Sequence, residues 1–253
     1  MSVSKVGLII QARIGSTRLP AKMTVPFYKG KGIFELLIQR IQEEFSPKEM
    51  VLATSDHHRD EVLVRIADRN GIAVYRGSEN DVLHRFIEAS HQMKFTDAIR
   101  ICADNPFLDV AALKEVRDCH LKSNADYSAF RMADGTPSIR THFGFWGEGV
   151  KVEALEKVQQ LTSDSFYREH VTNYLYRHPD LFSFYWINID KEIEKEHGRL
   201  RFTLDTQGDF DRLKKLFNQW VHTKGSTREL IYITKKNSTL VNEMIQEIKK
   251  QTK

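Results

Sequence analysis

Cysteine is nearly absent from this chain of 253 residues, which has only Cys102 and Cys119. Two distant thiols make no disulfide framework and point to a reducing compartment. Cys102 lies in an apolar run and reads as a buried thiol. No apolar run approaches the roughly 20 residues of a membrane span, and residues 1–10 lack a signal-peptide pattern. The expected location is therefore cytoplasmic, with no membrane partner. One-sided charge is missing too: the formal net charge is only +4, inflated by Lys249, Lys250 and Lys253 in the terminal tail. A balance this mild suits a small anionic substrate as well as nucleic acid. The basic stripe interleaved with aromatics that marks nucleic-acid binders is absent, so no nucleic-acid partner is expected. There is no internal repeat and no low-complexity linker. A hydrophobic content of 41% allows a full core, as one large domain or two small ones.

The main phosphate-binding fingerprints are also missing. A dinucleotide motif needs three spaced glycines, and the first loop has only Gly15; a P-loop needs Ser or Thr after Gly-Lys, and Gly30-Lys31 is followed by Gly32. What is present is the stretch from Ile9 to Lys22. The apolar run Val6-Gly7-Leu8-Ile9-Ile10 reads as a buried strand. It passes directly into a loop carrying Arg13, Gly15, Ser16, Thr17, Arg18 and Lys22. Ligands of open α/β sheets bind just past the carboxyl ends of strands. Small residues at 15 and 16 let backbone N–H groups approach a phosphate, and two guanidinium forks and an ammonium supply countercharge. The stretch reads as a polyphosphate-binding loop, against the plainer reading of a basic surface loop.

Behind it, apolar residues at 33, 34, 37, 38, 41 and 45 predict an amphipathic helix. Met50–Thr54 reads as a strand, Val62–Ala67 as a helix stopped by Gly71 at C′, and Ile72–Tyr75 as a strand. Residues 80–94 read as a helix and Ala98–Cys102 as a fourth strand. This alternation implies a mostly parallel sheet with right-handed crossovers.

The fourth strand ends in Asp104-Asn105-Pro106, and Asp109 follows. A carboxylate there is placed to hold a divalent ion over a phosphate, since Mg²⁺ takes oxygen ligands and needs few from protein. Asp109 suits the N-cap of the next helix better, which leaves Asp104 for the site. Asp126–Phe130 reads as a strand and Asp134–Pro137 as a turn. The aromatic, glycine-rich stretch Thr141–Glu148 reads as a recognition loop or a subunit contact, and Val152–Leu161 as a helix. Tyr167, Val171, Tyr174 and Leu175 share one helical face, which leaves Arg168, Glu169 and His170 for a ligand. A zinc trio there would need a second, better spaced His. Phe182–Ile189 and Leu200–Asp205 read as strands. Asp205 repeats the position of Asp104, while Asp209 suits either the site or the first turn of the next helix. Leu240, Val241, Met244, Ile245 and Ile248 mark a terminal surface helix.

The pattern Gln11-Ala12-Arg13-x-Gly15-Ser16-x-Arg18-Leu19-Pro20-x-Lys22 resembles the opening motif of the cytidylyltransferases that make CMP-activated acidic sugars. These include the acylneuraminate and 3-deoxy-manno-octulosonate enzymes, and Gln11-Ala12 looks most like the spore-coat polysaccharide branch. Four further segments follow in family order: Gly77-Ser78-x-x-Asp81-Val82-Leu83-x-Arg85-Phe86, Asp104-Asn105-Pro106, Arg168-Glu169-His170-Val171-Thr172, and Leu204-Asp205-Thr206-x-x-Asp209. The resemblance covers about residues 5–220. Ala103, Gln207, His84 and the stretch 143–149 depart from the family pattern.

The resemblance implies a three-layer, Rossmann-like α/β nucleotidyltransferase: one domain over 1–253, with an excursion at about 135–195 for sugar binding and dimerisation and a helical tail at about 225–253. It implies transfer of CMP from CTP to an acidic 2-keto sugar with Mg²⁺, in a homodimer. Gln11, Ala12, Arg13, Gly15, Ser16, Arg18, Lys22, Arg76 and Asp81 would bind nucleotide, with Arg13, Lys22 and Asp104 catalytic. Arg168, Glu169 and His170 would meet the sugar, and Asp104, Asp205 and Asp209 the metal. The alternatives are a GTP- or UTP-dependent sugar-1-phosphate nucleotidyltransferase and, because of the departures, a non-catalytic nucleotide-binding scaffold.

Overall fold

Val6–Gln11 (β1) alternates between two apolar surroundings, and that is why it sits in the middle of a sheet. Leu8 and Ile10 face one hydrophobic cluster and Ile9 the other, as expected for a strand covered on both faces. In the computed structural model, which describes residues 5–15, 18–223 and 225–251, β1 pairs in parallel with Met50–Ser55 (β2) and Asp97–Cys102 (β4). Ala73–Gly77 (β3) extends the parallel set beyond β2. On the other side, Glu148–Lys151 (β6) enters antiparallel between β4 and Tyr127–Arg131 (β5), and Phe184–Asn188 (β7) closes that edge parallel to β5. The order is β3-β2-β1-β4-β6-β5-β7. This is an open, mostly parallel α/β nucleotidyltransferase fold.

Helices cover both faces. Ile33–Ile41 (α1), Glu61–Arg69 (α2) and Val110–Ser123 (α4) pack with the cluster around Leu8 and Ile10. Val82–Met93 (α3), Val152–Leu161 (α5), Ser165–Glu169 (α6) and Asn173–Arg177 (α7) lie on the side of Ile9. Lys191–Glu194 (α8) is one turn. Gln207–Trp220 (α9), Thr227–Lys235 (α10) and Ser238–Lys250 (α11) return to the first face, through Phe210, Leu213, Phe217, Leu230, Val241 and Met244. Phe107 anchors them, with the Trp220 ring 5.2 Å away edge-on and Phe202 and Phe217 within 6 Å.

Local signals explain most boundaries. Gly71 adopts φ +68° just past α2, as a C′ residue should. Asp109 caps α4, its Oδ1 accepting from the Ala112 N–H at 3.0 Å. Three expectations need correction. Leu200–Asp205 is extended but joins no strand. Its backbone contact with the core is with His142, through the N–H groups of Phe202 and Thr203, so its alternating pattern reflects burial of Leu200, Phe202 and Leu204 rather than a ladder. The helical face read through 167–175 is split: α6 stops at Glu169, and α7 starts at Asn173. The aromatic stretch 141–148 is no subunit surface. Phe143, Phe145 and Trp146 are buried, and Glu148 begins the antiparallel strand β6.

Candidate active site

The carboxyl ends of β1 and β4 open into a cavity of about 750 Å³, within the size range of small-molecule sites. Its walls come from the loop after β1, the turn after β4, the segment 138–146, the α6–α7 pair and residues 203–205. Six cations line it (Arg13, Arg18, Lys22, Arg100, Arg140, Arg177) against three acids, Asp104, Glu169 and Asp205. That surplus favours an anionic occupant.

The loop after β1 is held from below. Asp60, fully buried ahead of α2, accepts from the Ile14 N–H at 2.7 Å and from Thr54 and Ser55 through its other oxygen. Gly15 lies close beneath the Arg59–Glu79 ion pair: a Cβ there would come within 2.6 Å of both charged tips, which would have to move aside. Arg13 lies 3.5 Å from Glu79 and 3.3 Å from Glu169, so it bridges the β1 loop to α6. Ser16 lies outside the described residues.

Lys22 ties Asp104, just past β4, to the segment that carries Asp205. Its buried ammonium donates to Asp104 Oδ2 at 2.7 Å and to the Leu204 carbonyl at 2.8 Å, beside Asp205. Asp205 accepts from Arg18 at 2.9 Å and from Arg201 at 2.6 Å. Arg201 is itself buried and grips Asp209 with Nε and Nη2, both at 3.0 Å. Burial pulls Arg201 down, but the Asp209 and Asp205 carboxylates outweigh it and raise its pKa.

Asp209 is therefore not placed as a metal ligand. It is buried, and its two oxygens take Arg201, Arg212 and the backbone N–H groups of Asp205 and Thr206. It closes the capping box of α9 with Thr206. Burial raises its pKa, yet the Arg201 contacts hold it below the ordinary 3.8. Three other expected ligand residues also stay outside the cavity wall. Arg76 is spent on Glu61 and the carbonyls of Ser55, Asp56 and His57. Asp81 caps α3 through the His84 N–H and takes Arg168, whose guanidinium also reaches the Gln159 carbonyl. These residues fix the frame around the site. Gln11, Ala12, Arg13, Gly15, Arg18, Lys22, Asp104, Glu169, His170 and Asp205 all reach the wall.

Sequence reasoning missed the floor on the α3–α5–α7 side. Arg100 on β4, 7% exposed, pairs with Glu148 across the antiparallel ladder at 2.5 Å. Glu148 also accepts from the hydroxyls of Tyr127 and Thr172. Burial lowers the Arg100 pKa, but Cys102 and Glu148 raise it further, for a net rise. An arginine among the apolar residues of a strand was the available signal. Cys102, expected to be fully buried, is half-buried on the cavity wall. Burial, reinforced by Glu148, pushes the Tyr176 hydroxyl up to about 12 despite three neighbouring arginines. Burial, with Arg100 and Arg177, keeps His170 below its ordinary value although Glu169 pulls the other way. Among the described residues, no three His, Cys, Asp or Glu side chains cluster as a metal-binding group, and no helix is long and apolar enough to cross a membrane.

Known proteins share this plan. A family profile described as cytidylyltransferase matches residues 8–246. The spore coat polysaccharide biosynthesis protein SpsF of Bacillus subtilis is 32% identical over 241 residues, covering 93% of this chain and 96% of that protein. An uncharacterized protein of Methanocaldococcus jannaschii is 31% identical over 234 residues, covering 92% of each. A cytidylyltransferase structure from Leptospira borgpetersenii superposes with a TM-score of 0.83 at 27% identity, over 94% of this chain and 97% of that one. A CMP:2-keto-3-deoxy-manno-octonic acid synthetase complexed with CTP shares the fold, with a TM-score of 0.59 at 15% identity over 85% and 99%. A match that begins in β1 and runs into α11, over a cavity of this charge, leads to one assignment: the chain belongs to the cytidylyltransferase family and is a nucleotidyltransferase.

Proposed function

We propose that the protein transfers the CMP group of CTP to a hydroxyl of an acidic 2-keto sugar and releases pyrophosphate, making an activated sugar for surface polysaccharide or glycan. The observation that carries this reading is the cation-rich cavity in which Lys22 joins Asp104 to the Asp205 segment. The sugar oxygen attacks the α-phosphorus in line, a P–O bond forms to it, and the bond to the pyrophosphate leaving group breaks. Such transfers depend on positioning and charge stabilisation. Arg13, Arg18 and Lys22 bind the triphosphate and steady the leaving charge. Ser16 contributes by the family resemblance alone.

Asp104 and Asp205 present hard oxygen donors on one wall, a donor set suited to Mg²⁺ completed by phosphate oxygens and water. When bound, the ion neutralises phosphate charge. A manganese complex of a fold neighbour, Rv0371c of Mycobacterium tuberculosis, supports a divalent ion. Glu169 and His170, on the α6 side of the cavity, face the acceptor. The chain is read as one catalytic domain whose 135–195 excursion serves the sugar, working in the cytoplasm as a homodimer.

The test is pyrophosphate release with Mg²⁺, offering CTP, GTP, UTP and ATP against 2-keto sugar acids and sugar phosphates. Release with CTP and a keto sugar acid is expected. Release only with GTP or UTP and a sugar phosphate would replace the cytidylyl reading. CTP binding without turnover across the panel would favour a scaffold. Light scattering tests the dimer.

A further inference from the structure

We propose that Arg100 is a positioning residue that turns the Gln11 amide so that its Nε2–H₂ group donates a hydrogen bond to an acceptor oxygen of a bound substrate. The Arg100 guanidinium reaches Gln11 Oε1 with two nitrogens, Nε at 3.3 Å and Nη2 at 3.2 Å. Arginine has only donors, so the end of the amide that faces it must be the oxygen, whichever way the group is drawn. The amide nitrogen is left as the polar end of a half-buried side chain on the cavity wall, and it has no protein acceptor among the described residues.

The orientation is enforced from behind. Arg100 is pinned by Glu148, its partner in the ladder, and Glu148 is held in turn by Tyr127 and Thr172. Four side chains thus fix one donor. A fixed amide N–H₂ on this wall donates to a carbonyl, carboxylate or phosphoryl oxygen and disfavours an N–H at the same place. Gln11 sits one residue before the phosphate loop and on the same side of the sheet as α7, so the oxygen belongs either to the nucleotide or to the acceptor. Only the names of those two substrates rest on the cytidylyl transfer proposed above.

Gln11→Glu separates the possibilities. The new carboxylate keeps an oxygen for Arg100, so the fold should be retained, while the donor is lost and an anionic ligand is repelled. Calorimetry of CTP with Mg²⁺ on the full chain is the first arm, and the KM of the acceptor that supports turnover is the second. One of the two constants is expected to rise by roughly ten- to a hundredfold, the range for one lost charge-assisted hydrogen bond. A rise in the CTP constant assigns the oxygen to the nucleotide, and a rise in the acceptor KM alone assigns it to the acceptor. If both constants stay at wild-type values, Gln11 donates to no substrate and the proposal is wrong.

Arg100→Lys tests the positioning step. An ammonium keeps charge against Glu148 but cannot reproduce the fork on Gln11. The same constant should rise several-fold while the other changes less, whatever the shift in Tm. A lowered Tm with both constants raised together would mean that Arg100 only supports the fold. If the wild-type protein binds GTP or UTP instead of CTP, the cytidylyl reading fails and the same comparison is run with that nucleotide. If it binds none of the four triphosphates, both readings fall.

Discussion

The Lys22 ammonium, on a residue only 8% exposed, donates to Asp104 at 2.7 Å. The cation of the first loop and the acid at the end of β4 form one unit, although 82 residues separate them. The contact fixes both charged groups on one wall of the cavity.

Asp104→Asn should remove turnover while leaving the fold. The carboxylate is about a third exposed, but its partner Lys22 is buried, so a stability loss of about 1–3 kcal/mol is expected with the protein still folded, whereas loss of a charge at a transition-state site costs roughly a hundredfold or more in kcat. Pyrophosphate release and thermal unfolding, measured on the same preparation, check this. Wild-type turnover at matched Mg²⁺ would remove Asp104 from the metal site.

Arg13→Ala should weaken triphosphate binding by roughly tenfold or more, the value of one charge-assisted contact. The loss should shrink at high salt. Because Arg13 is shared between Glu79 and Glu169, its removal should barely change stability. Calorimetric titration at two ionic strengths is the measurement. An unchanged dissociation constant would place the triphosphate elsewhere.

Asp209→Asn should act on stability instead. Removing one partner of a buried pair costs about 3 kcal/mol or more, read by urea unfolding at pH 7. The pH dependence has a definite sign. The folded-state pKa lies below 3.8, so in the window below 3.8 the unfolded chain binds more protons. The stabilisation is complete above that window and is lost as the pH falls through the folded-state value. The variant should lack this part of the acid sensitivity. Folded variant should retain Mg²⁺-dependent turnover, and loss of metal dependence would restore Asp209 to the site.

Gly7→Ala should destabilise by about 1–3 kcal/mol, the range for overpacking. A Cβ there would fall 2.0 Å from the Phe95 ring. Phe95→Leu in the same chain should recover part of the loss. Additive losses in the double variant would show that the clash is relieved elsewhere.

Much of the framework was legible because it is local. The apolar runs of β1, β2 and β4, the stripe of α1, the stop at Gly71 and the cap at Asp109 are written in neighbouring residues. So was the closeness of the basic first loop to the acid that follows β4. What escaped was set by distant partners. β6 is four residues long and lies antiparallel between β4 and β5, with no periodicity of its own. Leu200–Asp205 has the alternation of a strand, but its neighbour is His142 rather than a ladder. Arg76, Asp81, Arg168 and Asp209 carry the same chemistry as the residues on the cavity wall, and only their partners show that they lie off it. Arg100 acquires meaning only when Glu148 arrives from 48 residues away.

That cross-strand ion pair also acts as an alignment key for folding. Side chains alternate between the two faces of a strand, so a slip of one residue between β4 and β6 would send Glu148 to the opposite face. Arg100 would then be sealed in without its carboxylate, and Glu148 would lose Tyr127 and Thr172. An unmatched buried charge is far costlier than a mismatched methyl group. The short strand, with few apolar side chains to measure its own position, gains a single-residue ruler from the charge it carries.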